Sequence, residues 1–184
     1  VRWQDGTSEQ GPLGPGLDDW RVRAFLQDQR GDLWVGTFSG GLSRLGVGAV
    51  RSLGMSEGLG INSATAVLSD GEQIWVGAFR GGLFRTNRLG ERLQHWSPEQ
   101  GLPGETAWAL DFDVEQPSAL WVGADQGLAW LHQGRLHSAG PKGQRWSGRV
   151  SVLYADPLKP GTLWISDRVN PIVELSPNGI IQHG

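Results

Sequence analysis

A tryptophan tetrapeptide recurs four times in this chain. Leu33-Trp34-Val35-Gly36 returns as Ile74-Trp75-Val76-Gly77, as Leu120-Trp121-Val122-Gly123 and, altered, as Leu163-Trp164-Ile165-Ser166. The four tryptophans stand 41, 46 and 43 residues apart. A period of about 40–45 residues is that of a four-stranded propeller blade.

The neighbours of each Trp repeat with it. An aspartate precedes it at a turn, as Asp28, Asp70, Asp113 and Asp156. Before that aspartate lie small or apolar residues in strand-like alternation: Val22, Ala24 and Phe25, then Ala64, Ala66 and Val67, then Ala107, Ala109 and Leu110, then Val150, Val152 and Leu153. After the Trp come Gly40-Gly41-Leu42, Gly81-Gly82-Leu83 and Gly127-Leu128, with Asn170-Pro171-Ile172 in the fourth copy. Each unit therefore reads as a strand, an Asp/Gly turn, the Trp strand, a Gly turn, a third strand and a short outer strand. The outer strands are expected near Val50 to Leu53, Arg92 to Trp96, Arg135 to Ser138 and Ile180 to His183. Val1 to Trp3 reads as one more, left from a preceding blade. No window of ten residues carries a helical period.

The expected fold is all-β, a β-propeller of four-stranded antiparallel blades in one domain over 1–184. The repeats span about 1–45, 46–86, 87–131 and 132–175, with a closing outer strand over 176–184. A twisted sheet cannot bury both of its faces alone, and stacking blades around an axis covers them. The innermost strands converge and need small side chains. The next strand has room for one large wedge, which Trp fills. A buried Trp removes roughly 150–250 Å² from water, so the loss of Trp75 to Ala is expected to cost at least about 3 kcal/mol.

Composition narrows the function classes. The 184 residues carry a formal charge of −3 and include 29 Gly, 10 Trp and no Cys. A mildly acidic chain without a basic run has no general attraction for nucleic acid or anionic lipid. Without Cys there is no disulfide, thiol chemistry or thiolate metal site. No apolar stretch approaches the roughly 20 residues that span a bilayer, so any leader or anchor is expected outside this chain.

Asp28 to Thr37, followed by Gly40-Gly41-Leu42, resembles the two-component regulator propeller repeat, and the second copy matches nearly as well with Ala78 in place of Thr. The third has a longer turn through Gln116-Pro117-Ser118, and the fourth is degenerate. The resemblance implies seven-bladed propellers in the extracytoplasmic, periplasmic sensor part of histidine kinases, hybrid regulators and diguanylate cyclases. It thus implies signal reception in two-component signal transduction. Four repeats are too few for that ring, so the chain is expected to be part of a larger sensor. The rival is a closed four-bladed ring.

No residue set announces catalysis, and no enzyme activity, cofactor or metal is expected. Asp111 takes an inner-strand slot filled by Leu26, Leu68 and Tyr154 elsewhere, and alternation puts it on one face with Asp113. Paired carboxylates do glycosidase work, but Asp113 is the recurring turn residue, which makes the pairing accidental. His95, His132, His137 and His183 lack ligand spacing. Variation concentrates in loops that should open on one face: Phe38-Ser39, Phe79-Arg80, Asp125-Gln126 and Arg168-Val169-Asn170, with Asp18-Asp19-Trp20, Asn62, Glu105 and Arg145-Trp146 leading into the inner strands. The candidate ligand contacts are Phe38, Asn62, Phe79, Arg80, Glu105, Asp125, Arg145 and Arg168. Such a mixture suits a small molecule, glycan or protein signal. As surface positions, Arg80 and Asp125 should tolerate alanine within about 0.5 kcal/mol. The alternatives are a glycan-binding or glycan-active propeller of sialidase or lectin type, and an interaction scaffold that pairs as a homodimer.

Overall fold

The computed structural model describes residues 2–4, 7–9, 19, 21–46, 49–54, 62–167, 169 and 171–183. The chain opens with a hairpin of β1 (Arg2–Gln4) and β2 (Thr7–Glu9). Four sheets follow. The first holds β3 (Val22–Gln27), β4 (Leu33–Thr37), β5 (Leu42–Gly46) and β6 (Ala49–Leu53). The second holds β7 (Ala64–Ser69), β8 (Gln73–Ala78), β9 (Gly82–Asn87) and β10 (Arg92–Trp96). The third holds β11 (Ala107–Phe112), β12 (Leu120–Ala124), β13 (Gly127–His132) and β14 (Arg135–His137). The fourth holds β15 (Val152–Ala155), β16 (Leu163–Ser166), β17 (Ile172–Ser176) and β18 (Gly179–His183).

Each sheet is an antiparallel meander in sequence order, which is a propeller blade. The outer strands fall where the repeat placed them. The opening strand differs: Arg2–Gln4 pairs with Thr7–Glu9 in its own two-stranded ribbon and joins none of the four sheets. The one helical turn among the described residues is Pro98–Gln100, capped by the Ser97 side chain.

Consecutive inner strands β3, β7, β11 and β15 pack on one another. Away from them, the Trp face of each blade lies on the opposite face of the next. Trp34 packs with Ala64, Ile74 and Val76 of the second blade. Trp75, stacked on Trp96, packs with Leu120 and Val122 of the third. Trp121 packs with Val150, Leu163 and Ile165 of the fourth.

The glycine of the tetrapeptide follows from that stacking. A β-carbon at Gly36 would stand 2.9 Å from the Ala64 β-carbon, and one at Gly123 would stand 2.5 Å from Val150 Cγ1. At Gly77 it would collide with the carbonyl oxygen of Ala107. Each glycine admits the first inner-strand residue of the next blade.

The fourth copy corrects the expectation of four equivalent wedges. Trp164 is only partly buried, and no sheet among the described residues covers its face. Val152, Tyr154, Ile172 and Ile181, on that face by strand register, are all half exposed or more. The arc therefore ends on an uncovered apolar face, and the glycine position there is Ser166. No helix among the described residues is long and apolar enough to cross a membrane.

Candidate functional site

The first three inner strands open with a β-bulge. Register shifts between Val22 and Ala24, between Ala64 and Ala66, and between Ala107 and Ala109. The extra residue is Arg23, Thr65 or Trp108. Ser151 holds the same repeat position between Val150 and Val152. A bulge breaks alternation and re-aims one side chain. All four of these residues line a single cavity of about 480 Å³, together with Arg149, Val152 and Asp167. The cavity draws on all four blades and so lies on the axis.

Two guanidinium groups border it, each laid over an aromatic ring. Arg149 lies 4.3 Å from the Trp108 ring centroid, and Arg23 lies 4.6 Å from that of Phe38. Neither has a hydrogen bond or ion pair among the described residues. Arg21, also over Phe38 at 4.4 Å, differs because it is paired with Asp19 at 3.0 Å. Hydrogen bonds from the Arg21 side chain and backbone, then from Ser39, outweigh burial and hold the Asp19 carboxyl far below the usual carboxylate range. Trp108 is fixed by its indole N–H, which donates to Asp125 Oδ1 at 2.7 Å, and by Phe79 at 5.8 Å.

The loop residues expected to converge do not form one site. Phe38 and Phe79 support the axial cavity from behind, through Arg23 and Trp108. Arg80 and Glu105 share a separate cleft of about 350 Å³ with His95 and Glu99. Arg145 lies in a third, of about 440 Å³, with Gln126 and Trp146. Asn62 is exposed, and its backbone carbonyl accepts from Gly41 N. Arg168 lies outside the described residues. Asp125 is not the freely replaceable rim residue expected, because its carboxylate accepts from both Thr106 N, at 3.0 Å, and Trp108.

The carboxylates that suggested chemistry serve the frame. Asp111 accepts from Ala155 N of the fourth blade at 2.8 Å and from Phe112 N at 2.9 Å. Burial raises its carboxyl above the ordinary value, against those two bonds. Asp113 accepts from the Trp130 indole at 3.0 Å and from Glu115 N and Gln116 N. His95 stacks on Phe84, His132 and His137 on Trp130, and His183 on Trp164.

Arg23 and Trp108 escaped sequence reading because strict alternation skips a bulged residue, and Ser151 takes the same repeat position without a bulge. The signal that finds them is a large or polar residue held between two small ones at the same repeat position.

No curated protein matches the chain. By fold, it is similar to an extracellular domain from B. thetaiotaomicron ascribed to a hybrid two-component system, with TM-score 0.77 and 20% identity, covering 96% of this chain. It spans only 26% of that domain. It is also similar to the computationally designed Ika4 protein, with TM-score 0.62, 15% identity and full coverage of both chains. PorZ, a surface component of the type-IX secretion system of Porphyromonas gingivalis, is similar too, with TM-score 0.63 and 16% identity over 98% of this chain and 30% of that one.

 At these identities the three likenesses show the fold alone. In sequence, residues 16–39, which include β3 and β4, match the family described as "Two component regulator propeller".

Proposed function

We propose that this chain is a signal-receiving propeller of an extracytoplasmic two-component receptor and that it binds a small ligand on its axis. The axial cavity carries the reading: each blade contributes the residue at one repeat position to it, and two arginines there have no hydrogen-bond or ion-pair partner among the described residues. The match over residues 16–39 and the fold likeness to an extracellular domain of a hybrid two-component system support the receptor context. The reading involves binding alone.

The test is a ligand screen by NMR with the Trp108 indole N–H as reporter. A compound that shifts that signal, and whose binding measured by calorimetry is weakened in Trp108→Ala, supports the reading. If every binder found acts away from Trp108, the axis is not the receiving site.

The uncovered Trp164 face favours a second reading, in which a protein partner, such as another copy of the chain, covers Val152, Tyr154, Ile172 and Ile181. A dimeric solution mass that reverts to monomer in Ile181→Glu would support it, and a strict monomer would oppose it.

A further inference from the structure

We infer that the axial cavity takes a small monocarboxylate, held between Arg23 and Arg149. This rests on the axial-binding reading above and adds the chemical class of the ligand.

Three observations lead there. The two guanidinium groups lie over the rings of Phe38 and Trp108, which occupy their faces. A contact with a ring uses none of the guanidinium N–H donors, whose fork matches a carboxylate. Among the described residues, neither group pairs with a carboxylate, whereas Arg21, Arg44 and Arg88 all do. An arginine left without an acid beside a cavity is a site for an anion from solution.

The charge decides how many anionic groups fit. Among the described residues, the lining holds Arg23, Arg149 and one carboxylate, Asp167, which is one net positive charge. That favours a monoanion over a phosphate dianion or a polyanion. At about 480 Å³ the cavity is within the size range of small-molecule sites.

Sugar acids and peptide C-termini share this chemistry, and the experiment separates them. The 184-residue chain is titrated calorimetrically with D-galacturonate, D-galactose, N-acetyl-dialanine and N-acetyl-dialanine amide. The expected result is binding of at least one acid, none of its neutral counterpart, and weakening with salt. Arg23→Gln and Arg149→Gln should each weaken it about tenfold or more, while Arg135→Gln on the outer strand of the third blade leaves it unchanged. Unchanged melting of the variants shows that folding is intact. The inference fails if neither acid binds, if acid and neutral bind alike, or if both arginine variants bind normally. A neutral ligand that still shifts the Trp108 signal would preserve the receptor reading while sinking the carboxylate.

Discussion

The indole N–H of Trp34 donates to Asp28 Oδ2 at 2.8 Å, joining the blade's wedge to the turn six residues before it. Trp164 and Asp156 repeat the bond at 3.0 Å. In the second blade, the buried Trp75 indole N–H has no hydrogen-bond partner among the described residues. Trp34→Phe and Trp75→Phe remove the same ring atoms, but only the first loses a bond to a charged group. We expect Trp34→Phe to cost about 1.5–3 kcal/mol more than Trp75→Phe, measured by urea unfolding.

Gly77 should tolerate no side chain. An alanine there meets the backbone of Ala107, which cannot rotate away. Gly77→Ala is expected to lose about 1–3 kcal/mol or more. Ser166→Gly, at the equivalent position of the uncovered blade, should change stability by less than about 1 kcal/mol. Thermal unfolding of the two variants compares them directly.

Acid should weaken the fold through the turn aspartates. Burial pushes Asp28 up, but the Trp34 indole, the Arg30 backbone N–H and Arg88 together hold it below the ordinary value. Asp156 is lowered first by Trp164 and then by Leu158 N. Their contribution is therefore complete above the unfolded value of about 3.9 and is lost as pH falls below it. Asp111 runs the other way: its raised value means a contribution present below about 3.9 and lost as pH rises through the folded value. Urea unfolding from pH 3 to 7 should show Asp28→Asn most harmful at pH 7. Asp111→Asn should gain on the parent between pH 3 and 7.

Asp125 and Arg80 should part company. Asp125→Ala leaves Thr106 N and the Trp108 indole without their acceptor, an expected loss of about 1–3 kcal/mol. Arg80 is exposed and pairs with no acid, so Arg80→Ala should stay within about 0.5 kcal/mol. Calorimetric melting of both variants checks the contrast.

Much of the frame was legible in the sequence. The tetrapeptide period located every Trp strand, and the small residues before each Asp marked the inner strands. What the period could not show was which face the fourth copy would leave bare, because cover comes from a neighbour and not from Trp164 itself. The Asp–Trp bonds were hidden for a related reason: Asp28 was recognisable as a turn former, while its second role depends on where the indole swings. Asp113 shows the limit, since it serves Trp130 on the third strand and not Trp121. The candidate site was read least well. Loop position named Arg80, Glu105 and Arg145, which fall in two clefts away from the axis, whereas Arg23, Thr65 and Trp108 sit inside strands at bulges that strict alternation passes over.

The slot between two small residues at the head of each inner strand separates two tasks. Arg23 and Ser151 can change identity with little effect on the packing between blades, which belongs to the small residues on either side, whereas the Thr65 hydroxyl donates to the Ala107 carbonyl of the third blade and Trp108 lies against Phe79 of the second. Arg23 and Ser151 thus form part of an address that point substitutions can rewrite while the scaffold stays the same.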